Sequence, residues 1–399
     1  MEKFFNNFLK TNYFKFYLIL IFLFSVLLLS QKFLYPTDWT TSEWLINYQG
    51  GFVRRGLIGE FLLIIHDISA INLRYLVFYF EITILLIFLL LIFKFLQNIY
   101  LNNLLIFLFF CPIFLIYPLA ENEVLVRKEY LLLSIYLFYL ILLLRNSYFF
   151  FLIILVFMPT MNLVWDGMIF YIFFFVFSFF CKKDLKRNEI IFFILSFIPY
   201  LISLFFILVS KSDPIGFEKM CISINENCFG AMFALDKTLI WNIEYVTSRF
   251  KIEYLLTHLL IIIFCFSPII FYSYHDNFKI SFGKISVNKT LLKLNLFLIA
   301  SIFLFMLIGY DWGRWINIGY SFLILTVFFL IKNSNIDFYK NKISLLFDKF
   351  SIKNRRVFYL IFFCYTFTWN MKVIMTDDIG SFPYYRIITK SLKIISSYI

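Results

Sequence analysis

The sequence predicts an all-α polytopic membrane protein of about 11 transmembrane helices (roughly 10–13), in a single integral membrane domain over residues 1–399. Three observations predict it. Mean hydropathy is +0.87. Hydrophobic residues make up 62% of the chain against 15% charged, and 59 of its 399 residues are Phe, a composition foreign to soluble domains. The apolar residues also come in runs near the length that crosses a bilayer, roughly 20 residues. Hydrocarbon offers the backbone no hydrogen-bond partner, so each run is expected to be a helix that satisfies its own peptide groups.

The first run, near 14–34, is too long for the apolar core of a cleavable leader, and no small-residue cleavage site follows it; it reads as a retained signal anchor. Further spans are expected near 74–96, 104–119, 129–145, 148–164, 168–181, 190–210, 255–274, 293–309, 318–332 and 357–371. Several runs between 104 and 181 are short, so a broken or re-entrant helix there changes the count.

Lys and Arg in short loops set orientation. With Lys3 and Lys10 inside, the basic runs at 181–189 (CKKDLKRNE), 275–292 and 333–356 all fall on the inner side. The N-terminus is then cytoplasmic and the C-terminus periplasmic or outside. The outer loops become 35–73, 120–128, 165–167, 211–254, 310–317 and 372–399. The net charge of +12 sits in these topogenic loops, a pattern of membrane insertion and anionic-lipid contact, so nucleic acid is not an expected partner. Within the first outer loop, GLIGEFLLIIHDI (56–68) is too short to cross and is interrupted by Glu60, His66 and Asp67. It reads as an amphipathic helix lying in the interface.

That topology gathers the unusual polar residues on one face. Asp38, Glu43, Arg54, Arg55 and Glu60 come from the first outer loop; Glu121, Glu123, Arg127, Lys128 and Glu129 from ENEVLVRKEY; Asp166 from a short loop; Asp311 and Arg314 from YDWGRW. Arginines outside run against the usual charge bias, so something else must hold them there. Arginine forks fit phosphate oxygens, and a carboxylate beside them can take a proton from an incoming hydroxyl. Trp39, Trp44, Tyr48, Trp312 and Trp315 offer flat faces for sugar rings, or simply anchor the loops at the interface. Arg127 and Lys128 also read as flanking charges of the next span, and Gly50-Gly51 as a plain turn.

The remaining signals are few. His66, His258 and His275 are too scattered for a metal site, so no metal and no cofactor is expected, with a divalent cation left open. The chain carries no phosphate-binding loop, dinucleotide fingerprint, HExxH or GxSxG pattern. Cys221 and Cys228 lie in the long outer loop, where a disulfide would close a short ring if that loop is periplasmic.

On these residues the chain resembles the C-type (GT-C) polyprenyl-dependent glycosyltransferases, and also the Wzy-like polymerases of O-antigen and capsule repeat units. The resemblance implies a GT-C-like fold in the inner membrane and a donor sugar or oligosaccharide on undecaprenyl phosphate or diphosphate. It implies Asp38 as the catalytic acid of the first outer loop with Glu43 second, and Glu121 or Glu123 as the second-loop acids. It implies Arg54, Arg55, Arg127 and Arg314 around the lipid phosphate; Asp311, beside Arg314, joins Glu121 and Glu123 as a candidate substrate-binding residue. Polymerase and single-sugar transferase both remain open, and membrane lipids and other polysaccharide-assembly proteins are the expected partners. The rival class, a lipid-linked oligosaccharide flippase, would place ionisable residues deep in the spans; Glu81 and Lys94 are among the few there. A third class is a non-catalytic assembly protein.

Overall fold

The computed structural model describes residues 7–398 except 38, 184, 210–213, 225, 227, 229, 233, 234, 236, 276, 277, 279, 283, 284, 288 and 337–340. Its elements follow in order. Helices α1 (Asn12–Leu34), α2 (Thr41–Trp44), α3 (Leu57–Ser69) and α4 (Leu73–Leu96) are followed by α5 (Asn103–Phe109), α6 (Tyr117–Ala120), α7 (Glu129–Leu144) and α8 (Phe150–Val164). Next come α9 (Ile172–Phe180), α10 (Arg187–Val209), α11 (Pro214–Ile224), α12 (Leu239–Ser248) and α13 (Ile252–His275). A small antiparallel ribbon, β1 (Ile280–Phe282) with β2 (Ile285–Val287), precedes α14 (Thr290–Ile308) and α15 (Trp312–Lys332). The chain ends with α16 (Lys342–Lys353), α17 (Arg355–Phe367), the pair β3 (Trp369–Asn370) and β4 (Gly380–Ser381), and α18 (Pro383–Tyr398).

The protein is therefore an all-α membrane protein. Among the described residues six helices are long and apolar enough to cross a bilayer: α1, α4, α10, α13, α14 and α15. The other expected spans are shorter, three of them for local reasons. The run 104–119 is two helices: α5 stops at Phe110, where Pro112 follows and a turn intervenes before α6. α8 is widened by a π-turn over Ile153–Phe157, directly before Pro159, whose missing N–H leaves the carbonyl four residues back without its helical partner. The run 168–181 begins as a 3-10 turn (Asp166–Phe170) before α9. α17 has 13 residues, about 20 Å at 1.5 Å per residue.

α15 is the centre of the bundle, buried along nearly its whole length, with α7, α9, α13 and α14 packed around it. α1 pairs with α4, and α4 with α7. Lipid-sized apolar faces stay exposed on the outer helices, as on α10, where Phe205, Phe206 and Leu208 point outward.

The two ends of the bundle differ in charge. At one end Asn98 N–H bonds Leu9 O (3.3 Å), Lys332 lies over the Phe95 ring, Asn333 donates to Cys181 O (2.7 Å), Asn103 to Asp348 (2.7 Å) and Asn341 to Tyr272 O (3.4 Å). These contacts bring the three basic runs of the sequence to a common end. The opposite end carries the mixed-charge residues.

α3 is the amphipathic helix expected at 56–68. Leu62 and Leu63 face the protein, while Phe61, Ile64 and Ile68 form an exposed stripe. It stops at Ala70, in the left-handed region (φ 56°), whose N–H bonds His66 O at 2.7 Å.

Candidate functional site

The site begins with two close backbone approaches that only glycine permits. A Cβ on Gly59 would strike the backbone of Leu45 and Ile46, so α3 lies directly on the segment after α2. Glu60, one residue on, accepts from Tyr48 N–H (2.9 Å) and Gln49 Nε2 (3.0 Å) and pins the intervening turn. A Cβ on Gly313 would strike Lys372 O, so the start of α15 sits against the segment before β4, with Arg314 turned inward. Two further residues have left-handed backbones without being glycine: Arg55 (φ 68°) and Val126 (φ 48°). For a β-branched residue this conformation costs roughly 1–3 kcal/mol. Both adjoin the cations described next.

The inner network joins three helices, α2, α7 and α15. Arg127, just before α7, donates its Nε–H to Glu43 of α2 at 2.6 Å and places Nη1 3.6 Å from Asp311. Arg314 of α15 donates Nη1 to the same Asp311 oxygen at 3.1 Å, places Nη2 3.5 Å from Glu43, and bonds Glu129 at the start of α7. Glu43, Arg127, Glu129 and Arg314 are buried, Glu43 to 1% exposure; the Asp311 side chain keeps 28%. Two arginines thus face three carboxylates, and the one carboxylate open to water is clamped by both arginines. Lys128, next to Arg127 in sequence and fully buried, donates to Arg55 O at 2.8 Å.

That last bond leads to an outer group. Asp166 accepts from Arg55 Nε at 2.7 Å and from Arg54 Nη1 at 3.3 Å. Both guanidinium groups remain partly open, Arg54 to 31%. Burial alone would raise the Glu43 carboxyl, but Arg127, Arg314 and Lys128 outweigh it and hold the group well below the usual carboxylate range. Asp166 is likewise lowered, because Arg55 and Arg54 overcome its burial. Burial pushes the Lys128 ammonium down to about 7, against the pull of Glu43. Burial lowers Arg54, while Asp166 outweighs burial and raises Arg55. Arg55 also feels the charges of Glu43 and Arg314, so inner network and outer group form one electrostatic unit.

The other sequence candidates fall around this unit. Glu121 pairs with Arg386 of α18 at 2.5 Å and accepts from Asn370 at 3.3 Å, on the side of the site where Lys390 donates to Ala120 O (2.7 Å). Burial raises the Glu121 carboxyl, with Arg386 acting against it. Glu123 is exposed, and Asp38 lies outside the described residues. Cys221 and Cys228 are joined in a disulfide. The segment they close is tied to the start of α4 by Arg74, forked onto Glu226 (2.9 and 2.8 Å), and to the site loop by Asn47, which donates to Ser223 (3.2 Å).

Three of the tryptophans expected to offer sugar-binding faces do not, because they are packed inside. Trp44 donates to Glu81 (3.0 Å), Trp312 to Met306 O (2.9 Å), and Trp315 stacks on Phe305 at 4.5 Å beneath the Arg314 guanidinium. Trp39 is exposed and Tyr48 stacks on Phe52 (5.5 Å). Among the described residues no group of three or more His, Cys, Asp or Glu side chains could hold a metal ion.

Sequence reasoning missed Lys32, Arg386 and Lys390. Lys32 sits in the last turn of α1, buried, and donates to Leu125 O at 2.5 Å, beneath the strained Val126. Its place in the final turn of an apolar span, where lysines commonly snorkel, hid it. Arg386 and Lys390 share one face of α18 at i, i+4 spacing, a signal present in the sequence.

In comparisons with family models, with curated proteins and with solved structures, nothing matches this chain.

Proposed function

We propose that the mixed-charge end of this membrane protein transfers a sugar or oligosaccharide from an undecaprenyl-(di)phosphate donor in the assembly of a surface polysaccharide. One observation carries the proposal. Two partly exposed arginines, Arg54 and Arg55, held by Asp166, stand beside a network whose water-facing member is a carboxylate, Asp311, fixed by two further arginines. A phosphate grip and a proton acceptor at one bilayer boundary suit a donor whose tail lies in lipid and whose sugar lies in water.

In the proposed step the acceptor hydroxyl oxygen attacks the donor's anomeric carbon. The new carbon–oxygen bond forms as the bond from the anomeric carbon to the phosphate oxygen breaks, that oxygen leaving with the phosphate, and the hydroxyl proton passes to a carboxylate, Asp311 or Asp38. The lipid departs as polyprenyl phosphate or diphosphate, its charge met by Arg54 and Arg55. Glu43, buried and doubly held, serves to orient Arg127 and Arg314. On this reading the site faces the periplasm and the basic end faces the cytoplasm, as the Lys and Arg bias implies.

The test substitutes Arg54→Ala, Asp38→Asn and Asp311→Asn separately, verifies membrane levels, and examines surface glycan length with the lipid-linked intermediates. Single repeat units on the final carrier indicate a lost polymerase; truncated repeats indicate a lost sugar transferase. Normal glycan in all three variants would sink the proposal.

A further inference from the structure

The basic run 333–356, expected as a connecting loop, contains a helix, α16, that docks on the protein largely by its polar side. Asn341 caps it, accepting from Ile343 N–H (2.9 Å), and donates to Tyr272 O in the last turn of α13 (3.4 Å). Asn102 donates to Ser344 Oγ, and Asn103 donates to Asp348 (2.7 Å) and to Ser351 Oγ (2.8 Å). Ser344, Asp348 and Ser351 stand at i, i+4 and i+7, so one face of α16 meets the start of α5. Phe347, on the same side, meets Phe107 edge-on at 6.0 Å.

The opposite side is bare. The 3.6-residue period sets Lys342, Leu346, Lys349 and Lys353 along its middle, with Leu345 and Ile352 on one flank and Phe350 on the other. A helix packed on a protein in water normally turns its apolar side inward. α16 instead leaves Leu345, Leu346, Phe350 and Ile352 exposed, Ile352 to 71%. Between 342 and 356 there are five Lys or Arg and one carboxylate, Asp348, which Asn103 already holds. Lys342, Lys349, Lys353 and Arg356 are exposed, and among the described residues no carboxylate pairs with them. α17 starts directly afterwards, and its exposed Val357, Leu360, Ile361 and Phe363 continue the apolar surface.

We infer that α16 lies in the headgroup layer of the leaflet at the basic end and binds anionic phospholipid through Lys349, Lys353 and Arg356, with Leu345, Leu346 and Ile352 among the acyl chains. Apolar side chains interleaved with lysines suit that boundary, because lysine stems lie along apolar surface while the ammonium groups reach the phosphates. The unpaired positive charge selects anionic over zwitterionic lipid. The apolar surface also runs on from α16 to α17, and a bilayer covers both parts at once. An acidic protein segment seated on α16 would leave the α17 part bare. This surface lies at the end opposite the proposed transfer site, and its lipid binding does not depend on that chemistry.

The test uses the full-length protein in lipid nanodiscs with a bimane fluorophore on Ile352→Cys, in a Cys364→Ser background that removes the exposed native thiol. The probes are phosphatidylglycerol and phosphatidylcholine brominated on their acyl chains, each added at the same fraction of the bilayer. Both should quench the label, and phosphatidylglycerol should do so about fivefold more effectively, the enrichment expected where cations meet an anionic surface. Lys349→Gln/Lys353→Gln/Arg356→Gln should bring the two lipids to parity while quenching persists. Lys349→Arg/Lys353→Arg, which keeps the charge, should keep the preference. Quenching by neither lipid would place α16 in water or against an acidic protein and overturn the inference. Equal quenching by both lipids with the cations in place would also overturn it, as would a preference that survives the loss of all three.

Discussion

At the residue scale the site is governed by charges that have left water. Glu43 is held below the ordinary carboxylate range because Arg127, Arg314 and Lys128 outweigh its burial. Its folded value lies below its unfolded one, so its stabilisation is complete above about pH 4.5 and is lost as pH falls from there through the folded value. Glu43→Gln leaves two buried guanidinium groups facing an amide. It should cost about 3–5 kcal/mol, read as the unfolding free energy in detergent, and a change near zero would contradict the network's role. Lys128 works in the other direction. Its folded value of about 7 lies below the ordinary 10.5, so between those limits the unfolded chain holds more protons and stability rises with pH. The melting temperature of the wild type should climb between pH 7 and 9, and Lys128→Met should flatten that climb; parallel profiles would show that Lys128 is not the titrating group. Arg54, Arg55, Arg127 and Arg314 were legible because arginines in loops expected outside break the charge rule, and Asp311 because it shares the YDWGRW segment with Arg314. The sequence could not say that Glu43 faces inward, because partner and depth are fixed by helices more than 80 residues away in sequence.

At the element scale, short pieces do the positioning. α2 is four residues long, yet it delivers Glu43 and Trp44 to opposite partners, Arg127 and Glu81. α3 holds the loop before it through Gly59 and Glu60. Gly59→Ala should push α3 away from Ile46, lower the melting temperature, and weaken the Tyr48–Glu60 anchor. Overpacking of this kind costs about 1–3 kcal/mol, and an unchanged melting temperature would mean that the contact yields freely. α3 was legible as an amphipathic segment because its polar breaks recur within a 13-residue run. The broken elements between 103 and 180 were legible only as uncertainty. Pro112 and Pro159 mark the breaks, but an apolar composition alone does not separate one long helix from two short ones.

At the scale of the whole molecule, a helix buried on every side, α15, organises a bundle with two chemically distinct ends. The basic end collects the loops rich in Lys and Arg, and the other collects paired carboxylates and arginines that face each other across three helices. Hydropathy was sufficient for the class of fold. The count of about 11 spans was not reached by long helices because local proline and turn chemistry shortens the middle of the chain. If the basic end is cytoplasmic, Lys183→Cys should react with a membrane-impermeant thiol reagent only after the cells are opened, and Asp378→Cys should react in intact cells; the reverse pattern would invert the protein. The most direct measurement of the central claim is transfer by the purified protein in vesicles, using an undecaprenyl-diphosphate-linked saccharide as donor and acceptor. Wild-type protein should elongate the glycan and release undecaprenyl diphosphate, and Asp311→Asn or Arg54→Ala should slow this by two to three orders of magnitude, about 3–4 kcal/mol of transition-state stabilisation. Elongation at wild-type rate in both variants would contradict the account.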